Sequence, residues 1–164
     1  MDHVSYTNNG DVYELVKVKS YTLADEDSLD VKHLLGDTDF EEYRARMYWS
    51  VDQGYAFRVL KNGMKKGFVY SYMLDGKLYG ASIKLDGHIP MALGLKHIFD
   101  IVDFHKIEFM PHGDISHFKS MLTVSSIRTY NSHNSMVKIL RRDVVEAGFR
   151  VFQYLGIEHG WCNV

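Results

Sequence analysis

Hydrophobic and polar positions change rhythm along the 164 residues, and the changes outline the elements. Residues 12–18 alternate as a half-buried strand does. Residues 21–30 are polar and acidic, which predicts a surface loop or a short substrate-facing segment. Ser28 then starts a brief helix through Leu34 and Leu35, stopped by Gly36. A longer helix follows. Thr38 and Glu41 have capping-box spacing, and Phe40, Tyr43, Met47, Tyr48 and Val51 form an apolar stripe that Gly54 ends. Trp49 falls on a different flank. The stripe predicts core packing, because proteins bury these residue types.

Strands are predicted next at 55–60, 66–74 and 77–85. Asn62-Gly63 is a strong hairpin signal, with spacing that allows a loop slightly longer than two residues. Asp75-Gly76 joins the next pair, and Asp86-Gly87 ends the meander. Links this short make neighbouring strands antiparallel. Pro90 suits the first turn of a helix running to about 102. A strand is predicted at 105–110, then the turn Pro111-His112-Gly113, then a short helix at 114–121 capped by Asp114.

Residues 122–130 read as a strand. Ser132 or Asn134 can cap a helix from 136 to 147, whose near-helical spacing is set by Met136, Leu140, Val144 and Ala147. Gly148 suits the stop. Phe149 opens a further strand to Tyr154, and a small edge strand through Trp161 closes the pattern. The order predicts one domain over residues 1–164, of mixed α/β class, with a single sheet covered on both faces.

Composition changes this picture little. Hydrophobic residues make up 46% and charged residues 24%, as in ordinary globular proteins. A formal net charge of −2 gives no general attraction to nucleic acid or anionic membrane. Cys162 is the one cysteine, so neither an internal disulfide nor a zinc-thiolate set is expected. No apolar run reaches membrane-spanning length, and residues 1–5 show no signal-peptide pattern. The expectation is a cytoplasmic protein.

Several chemistries find no support. His112, Asp114 and His117 form the tightest cluster of metal-type donors, but no further ligand is identifiable, and no metal is expected. The serines lack a nucleophile elbow, and no phosphate-binding glycine loop with lysine occurs. Phe57, Phe68, Tyr70, Tyr72 and Tyr79 could stack bases. Alternation in strands makes cross-strand packing the simpler role.

The meander with its Asn62-Gly63 and Asp75-Gly76 turns, the strand–loop–helix over 105–121, and the unit containing Asn134 and Gly148-Phe149 are together similar to the GNAT superfamily, the Gcn5-related N-acetyltransferases, including divergent bacteriophage-encoded forms. The resemblance covers roughly residues 12–160, in element order more than in identities. It implies a mixed sheet, antiparallel in its first half, with helices on both faces and a V-shaped parting between the fourth and fifth strands. It implies acetyl-CoA as co-substrate and an amine-bearing acceptor, with a homodimer left open. A GNAT-fold binding or structural protein without catalysis is the second reading.

Acyl transfer needs an amine stripped of its proton, donors for the carbonyl oxygen, and stabilisation of the leaving thiolate. The resemblance implies Glu108 as the base; alternatively it is a solvated edge carboxylate. Tyr130 is nearest by position for protonating the thiolate. The cofactor pyrophosphate would meet Met110, His112 and Gly113, and Asn134 would approach the pantetheine arm. The family's glycine-rich pyrophosphate loop is not matched there, and Asp114 opposes phosphate. The alternative register makes 77–85 the fourth strand, Asp86, Gly87 and His88 the loop, and 90–102 the cofactor helix.

Overall fold

The computed structural model describes residues 3–32, 37–75, 77–101, 106–109, 129–131 and 137–140. Among them the strands are β1 (His3–Asn8), β2 (Asp11–Lys17), β3 (Ala56–Lys61), β4 (Met64–Leu74), β5 (Lys77–Leu85), β6 (Lys106–Phe109), β7 (Thr129–Asn131) and β8 (Val137–Leu140). The helices are α1 (Tyr21–Leu29), α2 (Asp37–Gln53) and α3 (His88–Ile101). The described strands form one sheet in the order β1-β2-β3-β4-β5-β6-β8-β7. β1 through β5 are successively antiparallel, β5 and β6 are parallel, and β8 is antiparallel to both β6 and β7.

Turn chemistry sets the first half. Asn8 pairs with Asp11 and Lys61 with Met64, so each link is a tight two-residue turn. Asn9 and Gly10 have φ of 51° and 86°, and Asn62 and Gly63 have 50° and 82°. Positive φ at both central residues matches the right-handed strand twist, and Asn-Gly provides it at least cost. The 62–63 loop is thus shorter than its spacing suggested, and the β1 hairpin is an addition to the expected elements.

Helices cover both faces. Phe40, Tyr43 and Met47 of α2 bury with Ala24 of α1 against Ala56, Phe68, Tyr70, Tyr72 and Ala81 of the sheet. On the other face Phe57 meets the His97 ring of α3 edge-on, 4.6 Å between centroids. Gly94 of α3 lies over Leu85 and Val69: a Cβ there would be 2.8 Å from a Leu85 methyl. β3 starts at Ala56, opposite Tyr70, so residues 71–74 of β4 run past it. There the Gln53 amide donates to the Met73 carbonyl (3.1 Å) and accepts from the Met73 N–H (2.6 Å).

Three expectations are corrected. Residues 21–29 form helix α1 rather than a loop, capped by Ser20, whose hydroxyl accepts from the Leu23 N–H at 3.3 Å. The brief helix from Ser28 is replaced by the end of α1 at Leu29, and residues 33–36 lie outside the described residues. The helix expected from 136 begins instead as strand β8, because Val137, Lys138, Ile139 and Leu140 bridge β6 and β7. A short apolar run rich in β-branched residues fits either form, and pairing on both sides decides for strand. Residues 141–164, with Gly148 and Phe149, lie outside the described residues, as do 110–128.

Candidate functional site

The sheet changes character at β5. Its ladder with β6 pairs Leu78 with Ile107, Tyr79 with Glu108 and Gly80 with Phe109. β5 then continues to Leu85 with β4 as its described neighbour. On the β4 side the register slips between Tyr70 and Ser71, which pair with Ser82 and Gly80, so Ala81 is an extra residue. The bulge thus falls one residue past the last described β5–β6 rung. A bulge leaves backbone groups outside the regular ladder and re-aims the side chains beside it.

Above the bulge, β5 passes into α3 through Asp86 and Gly87. The Asp86 N–H donates to the Lys66 carbonyl at 2.8 Å, which fixes where the chain leaves the sheet. Gly87 has φ 105°, a conformation that glycine adopts without strain. No acidic residue occupies the first turn of α3, so its free N–H groups and the positive end of its dipole are not countered from within the helix. Lys84 is exposed, with no ion pair among the described residues.

Polar groups brace the α1–α2 face beside the bulge. Tyr43 of α2 donates a hydrogen bond to Ser82 Oγ, and the two residues are 3% exposed each. Burial pushes the Tyr43 phenol far above its ordinary range, against a smaller downward pull from the Ser82 contact. Asp27 of α1 is fully buried. It accepts from Arg58 Nε (3.0 Å), Arg58 Nη2 (2.9 Å), Lys65 Nζ (2.9 Å) and the Tyr70 hydroxyl (2.6 Å). Burial, then the hydrogen bond to Asp27, raises the Tyr70 phenol as well. Further along, Tyr79 stacks on Tyr72 (5.5 Å between centroids), and Trp49 meets Tyr72 edge-on at 5.7 Å.

No family model matches the sequence, and no curated protein matches it. Solved structures do. An uncharacterized protein from Bacillus halodurans superposes with a TM-score of 0.60 at 7% identity, covering 93% of this chain and 97% of that one. Mycobacterium smegmatis RimJ in complex with CoA-disulfide gives 0.59 at 16%, over 98% and 96%. An acetyltransferase of the GNAT family from Streptococcus agalactiae gives 0.51 at 12%, over 82% and 98%. The chain has the GNAT fold.

Counted from β2, β5 is the fourth strand of the GNAT sheet and β6 the fifth. The parallel pair therefore stands where the parting was expected, and α3 follows β5, the order on which the alternative register was drawn. Glu108 lies on β6 opposite Tyr79, one rung before the last described one. Glu108 and Tyr130 both pair with Lys138, so the three occupy one row across β6, β8 and β7. Met110, His112, Gly113 and Asn134 lie outside the described residues, as do His112, Asp114 and His117 as a cluster. Among the described residues no group of three metal-type side chains converges, and no helix is long and apolar enough to cross a membrane.

Sequence reasoning did not single out Tyr43, Ser82, Asp27 or Arg58 as polar partners. A signal existed for Arg58: alternation places it on the same face of β3 as buried Ala56, where a charged side chain needs a partner. Tyr43 read as one more aromatic in an apolar stripe, and its hydroxyl gave no sign of its partner.

Proposed function

We propose that the protein is an acyl-CoA-dependent N-acyltransferase that moves an acetyl group from acetyl-CoA to an amine. One observation carries the reading: β5 pairs parallel with β6, holds a bulge at Ala81 beside that pairing, and runs on from Leu85 through a short turn into the start of α3. Backbone groups that a bulge leaves outside the ladder suit an extended, amide-bearing arm, which can pair with backbone as a strand would. A helix start suits a pyrophosphate. β5 supplies the bulge and leads into the helix. The CoA-disulfide held by the M. smegmatis protein supports the same ligand class.

In this reading the N–H groups of Gly87, His88 and the first turn of α3 receive the pyrophosphate, and Lys84 adds positive charge. Asp86 is tolerated because its carboxylate is exposed to solvent. Met110, His112 and Gly113 give up that role, since they follow β6 rather than β5. A backbone N–H near the bulge donates to the thioester carbonyl as its oxygen gains charge. Glu108, opposite Tyr79 of β5, takes the amine proton. Asn134, between β7 and β8, remains the candidate for the pantetheine arm. Tyr130 lies three strand spacings from β5, about 14 Å, so the leaving thiolate calls for a nearer donor.

Calorimetry with acetyl-CoA and CoA tests the reading. Binding is expected, and at a hundredfold over the dissociation constant it should stabilise the fold by about 2.7 kcal/mol. No heat of binding at millimolar ligand would leave a GNAT-fold protein without acyl transfer.

A further inference from the structure

Packing accounts for Tyr72 and Tyr79 but not for Trp49. Tyr72 is buried in the α2 cluster, and Tyr79 lies against that cluster. Trp49 of α2 is 48% exposed. Its indole nonetheless meets the Tyr72 ring at 5.7 Å and 74°, and Tyr72 stacks on Tyr79 at 5.5 Å and 22°. The tyrosines thus form a floor and the indole a wall. The corner is held in shape: one turn after Trp49, the Gln53 amide makes two hydrogen bonds to the backbone of Met73, the residue next to Tyr72. Its place in the sheet is specific. Tyr72 and Tyr79 share a rung of β4 and β5, and Tyr79 and Glu108 share a rung of β5 and β6, so the three positions form one row. Tyr79 also precedes Gly80 and bulged Ala81. The two tyrosine rings lie on the α2 face, while α3 packs on the opposite face.

In the acyltransferase reading, on which this inference rests, the cofactor meets the sheet from the α3 side, which leaves the α2 side to the acceptor. We infer that Trp49, Tyr72 and Tyr79 receive the acceptor, and that it is an arylalkylamine: a neutral planar ring joined by a short chain to the reacting amine. Aromatic walls set at an angle take a third ring by stacking on one and meeting the other edge-on. With the ring beside Tyr79, a short chain carries the nitrogen about one strand spacing, ~4.8 Å, to the strand of Glu108. Charge favours a neutral ring over an ammonium head group in the corner. Burial raises the Tyr72 phenol, Arg46 lowers it, and Tyr79 and then Glu42 raise it, so the guanidinium outweighs Glu42, its partner at 2.6 Å, at this ring. A cation over the tyrosines would face that guanidinium. In the transfer itself the amine nitrogen bonds to the acetyl carbon and loses a proton to the base. The carbon–sulfur bond breaks with its electron pair on sulfur, and the thiolate takes up a proton as CoA leaves. The three aromatic residues bind and orient the acceptor and exchange no proton.

The test compares 2-phenylethylamine with 2-cyclohexylethylamine, which has the same chain and carbon count but a puckered ring. Thiol release from acetyl-CoA is followed with each amine, and acetyl-CoA binding is measured by calorimetry in parallel. The wild type should prefer the aromatic amine about tenfold in kcat/KM, the scale of a ring–ring contact. Trp49→Ala should bring the ratio close to one, chiefly through KM, and Trp49→Phe, which keeps a ring, should retain most of the preference. A tryptophan with only a packing role would lower the melting temperature and change both amines alike. If acetyl-CoA binds and the wild type turns over neither amine, treats both alike, or keeps its preference in Trp49→Ala, the inference is wrong and the acyltransferase reading stands. If the wild type binds no acetyl-CoA, that reading falls and the inference with it.

Discussion

Replacing Asp27 by asparagine tests what anchors α1. The carboxylate is fully buried and receives two hydrogen bonds from Arg58, one from Lys65 and one from Tyr70. It also sits in the last turn of α1, where the helix dipole disfavours negative charge, so its cationic partners must outweigh that cost. Asparagine keeps the shape and one acceptor oxygen but removes the charge. The Arg58 side chain is only 17% exposed and would lose its buried counter-charge. Breaking such a pair from one side costs about 3–5 kcal/mol. Lys65, at 32% exposure, retains Asp30 at 3.0 Å and loses less. We therefore expect about 3 kcal/mol for Asp27→Asn, and under about 1 kcal/mol for Lys65→Met. Urea unfolding followed by tryptophan fluorescence would measure both. The midpoint should fall at unchanged slope, and added salt should not restore it, because screening scarcely reaches a buried pair. A loss below about 1 kcal/mol for Asp27→Asn would refute the reasoning and assign the anchoring of α1 to its apolar contacts.

Three further outcomes are expected. Gly67→Ala should destabilise by about 2 kcal/mol or more, since a Cβ there would lie 2.0 Å from the Lys84 carbonyl oxygen; an unchanged melting temperature would contradict this geometry. Stability should decline as pH rises above about 10, because Tyr43 and Tyr70 hold their protons more tightly folded than unfolded, so the unfolded chain ionises first; Tyr70→Phe should flatten that decline, and a profile identical to wild type would count against it. Gly87→Asp should weaken CoA binding at least tenfold by calorimetry, at a stability cost of about 1 kcal/mol; undiminished affinity would remove the start of α3 as the pyrophosphate site.

Different physical signals made some elements legible and hid others. The two-residue turn at Asn62-Gly63 reads directly because only a few residue types accept its dihedrals. The α2 stripe reads because one face of that helix is apolar and packs in the core. α1 hid for the opposite reason: its buried residues are Ala24, Asp27 and Ser28, so the face it turns inward is largely polar and no hydrophobic period exists to find. β8 hid because Val137, Ile139 and Leu140 suit a helix and a strand alike, and its paired partners lie 28–34 residues earlier on β6 and 6–10 residues earlier on β7. In the candidate site, the Asp86-Gly87 turn was visible as a turn. The sequence also offered it as the loop of the alternative register, and the preference for that register came from the parallel pairing of β5 with β6, which no local pattern encodes. The Tyr43–Ser82 contact joins positions 39 apart in sequence and left no trace in either segment.

The bidentate contact between Gln53 and Met73 bears on how the molecule keeps apart from its own copies. Where β3 has not yet begun, β4 offers an N–H and a C=O side by side, the pair that an incoming strand uses to dock. The Gln53 amide presents the same donor and acceptor as a peptide group and occupies both. It works as a stopper in the gap: the backbone there is satisfied without a strand, so a second chain arriving edge-on gains no new bonds. Leucine at position 53 would have similar bulk but neither function, and would leave that stretch of β4 open for a neighbour to extend.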